Sequence, residues 1–539
     1  MYSARHRFGV GANRLYAFGV AALVSLVALS TGAPLQAQAA GTLAERIQRI
    51  IDRPEFRRAL FGIEFCSLDS NQTIYALNAE KLFVPGSTTK LLTEGTALEL
   101  LGADYHFHTR VYRTGTVDNS GTLAGDLVLV ASGDPDLSGR VRTDGTLAFE
   151  NEDHAYDGDE HTRAVPGDPL LVIREMASQV AAHGIKRITG RVLVDATLFP
   201  GGDRELGTDV VMSPIVVNDN VVDLMIGPGG KAGSAAAIAA APATSYLRIV
   251  NTATTGAPGS KNSIAFALDT ADAAGLHTLT VTGTTPYGKE PILYAYRVPD
   301  PARFAEITFT EALQQRGVFV AQQRASSAAD FESLRAAYLP GHLVAEHVSP
   351  AFKEEATITL KVSQNLHASI TPRILKAVLS PADTSKTGFD LEHDFLEKAR
   401  LDLTGAQQAD GAGGDAHFTP AFVVSYLKYM SQLKDSAIFR AALPILGRDG
   451  TLWNIQPASP AAGHVFAKTG TFATYDPLNR RLLITGKGLA GYITTADNRH
   501  LAFAIYVNNV SVSTEPNAAT TVVGQALGEI AAAAYEVRR

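Results

Sequence analysis

About 276 positions (363 − 87) separate the string Ser87-Thr88-Thr89-Lys90 from Ser363-Gln364-Asn365, and about 105 more (468 − 363) lead to Lys468-Thr469-Gly470. If the three strings serve one site, the domain that carries them is interrupted by a long insert. One helical turn separates Ser87 from Lys90, which puts a hydroxyl and an amine on one helix face. A serine hydroxyl is a weak nucleophile until a neighbouring base takes its proton. A lysine serves as that base only when its pKa is pulled down, by burial or by a nearby cation such as Lys468.

Together the strings have the order Ser-x-x-Lys, Ser-x-Asn, Lys-Thr-Gly of penicillin-recognising acyl-transfer enzymes. Decoys are present. Ser425-Tyr426-Leu427-Lys428 and Ser431-Gln432-Leu433-Lys434 repeat the first spacing, but they sit in or beside a run of helical apolar periodicity. Ser87 instead follows the Pro85-Gly86 break and opens a helix, where free backbone N–H groups are available to an oxyanion. Lys386-Thr387-Gly388 and Ser260-Lys261-Asn262 lie in loop compositions, whereas His464-Val465-Phe466-Ala467 leads Lys468 in as a strand.

Arg5, Arg7 and Arg14 precede an apolar stretch from Ala17 to Leu29, and Ala37-Gln38-Ala39 follows. This is the plan of a cleaved secretory leader, with an uncleaved anchor as the alternative, and it points to a periplasmic protein. Cys66 is the single cysteine, which excludes an intrachain disulfide and thiolate-based zinc or iron–sulfur sites. A net charge of −7 without a basic block beyond the leader speaks against nucleic acid. Gly227-Pro228-Gly229-Gly230-Lys231 lacks the first glycine and the final Ser or Thr of a phosphate loop. No cofactor and no metal are expected, and oligomeric state is left open.

Strand-like runs begin near Tyr112: Asp126 to Ala131, Ile188 to Asp195 and Tyr246 to Val250, with an amphipathic helix from Leu170 to His183 between them. Helical texture returns from Arg303 to Arg316. The organisation expected is a leader over 1–39, a first catalytic segment 40–110, an inserted domain over 111–200 and 281–297, a nested domain 201–280, and a second catalytic segment 298–539. The insert is expected to shape access rather than supply catalytic groups.

Nearly all of the chain beyond the leader resembles the D-alanyl-D-alanine carboxypeptidase/endopeptidase family, the class C low-molecular-mass penicillin-binding proteins. Pro85 to Thr93, Gly125 to Leu137, Leu443-Pro444-Ile445-Leu446-Gly447-Arg448-Asp449-Gly450-Thr451-Leu452 and Gly488 to Tyr492 are similar to its blocks. The resemblance implies an α+β, β-lactamase/transpeptidase-like domain split by an insert that itself carries an insertion. It further implies D-Ala-D-Ala carboxypeptidase and D,D-endopeptidase activity on peptidoglycan peptide stems, with β-lactams as covalent inhibitors. Ser87 would then be acylated, Lys90 would act as base, Ser363 would relay a proton, and Asn365 would hold the substrate amide and the lysine. Lys468 and Thr469 would recognise the terminal carboxylate, and the N–H groups of Ser87 and Thr471 would hold the oxyanion. Gly470 would leave room for substrate at the strand edge. A β-lactamase or esterase on the same fold, and a non-catalytic wall-binding protein, are the alternatives.

Two segments depart from the family pattern. Asp410-Gly411-Ala412-Gly413-Gly414-Asp415-Ala416-His417 lacks the serine and arginine usual there, and the stretch from Phe472 to Lys487 is longer than a tight strand connection. That stretch is expected to reshape or partly cover the groove.

Overall fold

The computed structural model describes residues 41–321, 329–515 and 517–537, so the leader expected over 1–39 lies outside the described residues. No helix among them is long and apolar enough to cross a membrane. The fold is α+β, as expected, and its main sheet brings the two ends of the chain together. The strands run in the order Thr73–Leu77, Leu60–Ser67, His500–Asn508, Arg481–Thr494 and Val465–Asp476, each antiparallel to the next.

Side chains alternate between the two faces of a strand, and both faces of His500–Asn508 are apolar. Phe503, Ile505 and Val507 point into a core completed by helices Leu43–Ile51 and Gln525–Tyr535. Ala502, Ala504 and Tyr506 point into the opposite core, formed with helices Lys90–Leu101, Asn365–Leu379 and Pro420–Met430. The strand is therefore buried on both sides, which its continuous apolar run requires. Helix Lys90–Leu101 is likewise buried all round, from Lys90 through Leu98.

The intervening chain builds separate sheets around a second core. One has the strand order Leu343–Val348, His108–Arg113, Leu127–Val130 and Val192–Asp195, and helices Leu171–Ala182 and Pro301–Gln315 share its core. Asp300 caps the latter helix by accepting from Arg303 N at 3.0 Å, with Pro301 in the first turn. Val298, Phe304, Phe309, Leu313, Val318 and Val344 all belong to this core. Val298 to Val320 and Val344 to Ala345, placed by the sequence with the second catalytic segment, thus share this second core. The reason is that the helix's apolar stripe faces Leu171–Ala182 and not the main sheet. Within 221–297 further small sheets pair Val221–Gly227 with Ala237–Ala241 and Ile292–Arg297, and Leu247–Asn251 with His277–Thr282.

The segment from Phe472 to Lys487 is not a loop. Strands Val465–Asp476 and Arg481–Thr494 continue as one long hairpin, with an irregularity at Phe472/Ala473. The turn is closed by Asp476, whose carboxylate accepts from the backbone of Leu478 and Asn479 at 3.0 and 3.2 Å.

Candidate active site

The Pro85-Gly86 break ends in a 3-10 turn, Gly86–Thr89, and Lys90 opens the α-helix behind it. This turn lies hard against the strand that carries Lys468, Thr469 and Gly470. A Cβ on Gly470 would stand 2.0 Å from Pro85 O and 3.0 Å from Ser87 N, and one on Gly86, at φ +51°, 2.5 Å from Thr471 N. Gly470 therefore lacks a side chain because the nucleophile turn occupies that space. The expected reason, room for substrate, gives way to this one.

Lys90 Nζ lies 2.9 Å from Ser87 Oγ, 2.9 Å from the Ser363 carbonyl oxygen, 3.1 Å from Ser363 Oγ, and in contact with Asn365 Oδ1. A neutral amine has two N–H donors and one lone pair. With the donors on Asn365 Oδ1 and Ser363 O, the lone pair is left for the Ser87 hydroxyl hydrogen. Burial brings the Lys90 pKa down to about 7, against the pull of the carboxylates of Glu205, Asp410 and Glu94. The sequence reading offered Lys468 as a source of that depression. Burial is the largest cause on both lysines. Lys468 is pushed well below its usual value by burial first, then by Lys90 and Lys487.

Ser363 sits at φ +65°, a left-handed conformation uncommon for a residue with a side chain. Gln364 caps the helix Asn365–Leu379 by accepting from Leu366 N at 3.1 Å, so Ser363 and Asn365 are not the caps. Gln364 is also tied to the insert. Its Nε2 donates to Asp219, which sits at φ +53° and takes Arg140 Nη2 and His154 Nε2, both at 2.7 Å, and His367 Nε2 at 3.0 Å. The carboxyl of Asp219 is held well below its usual range; burial opposes this, and Arg140 and then His367 outweigh it. Asp136, Glu355 and His367 are close enough to share a cation. His367 Nδ1 lies 3.1 Å from Glu355 Oε1, and burial pushes Asp136 far above the carboxylate range, so an ion pair and a bound proton account for the trio.

A cavity of about 540 Å³ opens in front of Ser87. Ser363, Asn365, Thr469, Gly470 and Thr471 line it, together with Phe472 and Lys487 from the stretch expected to border the groove, and with Tyr156, which the sequence did not point to. Tyr156 comes from the insert and donates its hydroxyl to the Ser363 carbonyl at 2.5 Å, with Asn365 Oδ1 at 3.2 Å. Burial of the hydroxyl raises its pKa. The insert thus places a hydroxyl beside the motif residues. It is also stitched to the wall: Asn151 Oδ1 accepts from Gly450 N at 2.7 Å, and Trp453 Nε1 donates to Glu152 at 3.2 Å. In the divergent stretch from Asp410, that carboxylate accepts from Ala412 N at 2.7 Å and Asp415 N at 2.9 Å. The loop it organises packs Gly413 against the Gly86 carbonyl, which buttresses the nucleophile turn from behind.

The chain is 26% identical over 548 residues to the D-alanyl-D-alanine carboxypeptidase of Actinomadura sp. (strain R39), covering 97% of this chain and 91% of that one. It is 23% identical over 473 residues to D-alanyl-D-alanine carboxypeptidase DacB of Haemophilus influenzae, covering 83% and 84%. The crystal structure of penicillin binding protein 4 (dacB) from Haemophilus influenzae shares the fold, with a TM-score of 0.66 at 19% identity over 92% of this chain and 99% of that one. A profile of one family spans residues 43–527, and on that span the chain belongs to the D-Ala-D-Ala carboxypeptidase 3 (S13) family of serine-type hydrolases.

Proposed function

We propose that this enzyme cleaves the peptide bond after the penultimate D-alanine of peptidoglycan stems, at free D-Ala-D-Ala ends and at D-alanyl cross-links, through an acyl-enzyme on Ser87. Lys90 takes the hydroxyl proton as Ser87 Oγ bonds to the carbonyl carbon. The N–H groups of Ser87 and Thr471 receive the oxyanion. The scissile C–N bond breaks as the proton passes from Lys90, through Ser363, to the leaving amine. Water then adds to the ester as its proton passes to Lys90, and the acyl C–O bond breaks as Lys90 returns that proton to the Ser87 oxygen. Asn365 holds both the substrate amide and Lys90, and on the motif alone the Lys468-Thr469 pair recognises the terminal carboxylate. β-Lactams enter the same site and form a long-lived ester. The reading places the protein in the periplasm, exported by the leader.

The domain organisation belongs to the same proposal: a catalytic domain interrupted over roughly 111–297, extended by core packing to about 345, with a nested part near 201–280. The observation that carries the reading is the approach of Lys90 Nζ to Ser87 Oγ in a cavity walled by Thr469, Gly470 and Thr471. Intact-mass measurement after incubation with benzylpenicillin tests it. One equivalent of adduct on the Ser87 peptide is expected, and none in Ser87→Ala. An adduct retained in that variant, or carried by Ser425, defeats the assignment.

A further inference from the structure

We infer that Lys487 is the cation that receives the free carboxylate of the substrate's C-terminal residue, a task the motif alone would give to Lys468. This rests on the acyl-transfer reading above and adds a specificity-determining residue from outside the three motifs.

Lys487 stands on the strand Arg481–Thr494 directly opposite Thr471. Directly opposed residues share a sheet face, and Thr469 lies two places along the same face. Lys487, Thr469 and Thr471 all belong to the wall of the Ser87 cavity, whereas Lys468 does not. Lys468 alternates to the other face, is fully buried, and spends an N–H on the Thr469 carbonyl at 3.0 Å. Lys468 and Gly470 thus share the face that packs on the Ser87 turn, with Lys468 sealed beneath it, whereas Lys487 stands on the opposite face among the residues that wall the cavity.

Lys487 also lacks a counter-charge. Among the described residues its recorded bond is to a neutral group, Nζ donating to Thr471 Oγ1 at 2.6 Å. It is 6% exposed, and burial brings its pKa down to about 8 with no carboxylate acting against it. A buried ammonium without an anion is costly, and an anion entering the cavity relieves that cost. The stem passes near Gly524, where an added Cβ would lie 3.7 Å from Lys487 Cε.

Hydrogen-bond accounting supports the same site. Thr471 Oγ1 accepts from Lys487, so its own hydrogen is free to donate elsewhere. Lys487 keeps two further N–H donors. Thr469 Oγ1 is engaged with Thr451 Oγ1 at 2.8 Å. A carboxylate at this end of the cavity therefore meets a hydroxyl and an ammonium.

The test uses an N-acyl-D-alanyl thioester of thioglycolate, supplied as the free acid and as the primary amide, with the full chain, Lys487→Met and Lys487→Arg. The wild type is expected to favour the acid. Lys487→Met should lower kcat/KM for the acid roughly 10- to 100-fold, the range of a charge-assisted hydrogen bond, and collapse the acid-to-amide ratio. Lys487→Arg should keep most of the ratio. In the wild type the ratio should shrink as pH rises past the titration of Lys487, a readout independent of any variant's folding. A ratio unchanged in Lys487→Met, or an equal loss on both donors, overturns the inference. If the wild type turns over neither donor, the acyl-transfer reading fails by itself. Calorimetric binding of N-acetyl-D-alanine against its amide then still decides the role of Lys487: equal affinities overturn it.

Discussion

Gln364 Nε2 and Asp219 Oδ2 are 3.1 Å apart, a hydrogen bond that joins the middle residue of the Ser-x-Asn motif to the insert. Four donors converge on this one carboxylate, two of them from Arg140 and His154 of the insert and two from Gln364 and His367 of the catalytic segment. Asp219→Asn leaves those cations buried without their partner, so we expect a loss of about 3–5 kcal/mol of stability. Thermal melting checks it. The carboxyl is depressed in the fold, so its contribution is present above the unfolded value of about 4 and is lost as pH falls. The gap between wild-type and variant melting temperatures should therefore narrow on acidification. A gap independent of pH contradicts the electrostatic role.

Lys90 sets the pH dependence of acylation. Its folded pKa of about 7 means that the neutral amine dominates above that value. The second-order rate of penicillin acylation should rise about tenfold per pH unit below 7 and level off above it. Lys90→Arg keeps the charge but cannot give up its proton near neutrality, so stopped-flow acylation should fall by a factor on the order of 10² or more. A profile flat between pH 5 and 8, in these rough limits, would exclude the lysine as base.

Tyr156 holds the carbonyl of a strained residue. Its hydroxyl and Lys90 Nζ both reach Ser363 O and Asn365 Oδ1. Tyr156→Phe removes one donor and leaves the ring in place, so the acylation rate should drop about tenfold with little change in melting temperature. Wild-type kinetics in this variant would show that Lys90 alone suffices to hold the carbonyl.

Phe472 follows Thr471 on the strand Val465–Asp476 and lines the cavity in front of Ser87. Phe472→Ala should alter cleavage of cross-linked muropeptides more than release of D-alanine from a short peptide, by roughly tenfold in their ratio. Chromatography of digested sacculi beside a pentapeptide assay measures it. Parallel changes would mean that the hairpin does not distinguish leaving groups.

What could be read in the sequence was what is written locally. Ser87 and Lys90 are one turn apart, Ser363 to Asn365 and Lys468 to Thr471 are contiguous, and the break at Pro85-Gly86 announces the turn before the helix. Lys487, Tyr156 and Asp219 carry no such mark. Each matters because of what folding sets opposite it: Thr471 across a ladder, Ser363 across the domain boundary, Gln364 through a buried carboxylate. The alternation that puts Lys468 and Thr469 on opposite faces of the strand was available, but nothing local said which of them the cavity would reach. The helix Pro301–Gln315 was legible as a helix and misplaced by domain, because an apolar stripe does not name its partner. The hairpin beyond Phe472 was taken for a loop because its length was judged without the pairing of Thr474 with Leu483 and Tyr475 with Leu482 that fills it.

The pairing of Leu60–Ser67 with His500–Asn508 has a consequence for the order of assembly. The strand that leads towards Ser87 precedes its neighbour in the sheet by about 433 positions (500 − 67). Until His500–Asn508 is in place, Leu60–Ser67 lacks that neighbour, and the strand carrying Lys468 has no sheet connecting it to Ser87. Contacts this distant in sequence form slowly. The surroundings of Ser87 therefore come into being late, only after the chain through His500–Asn508 has been made.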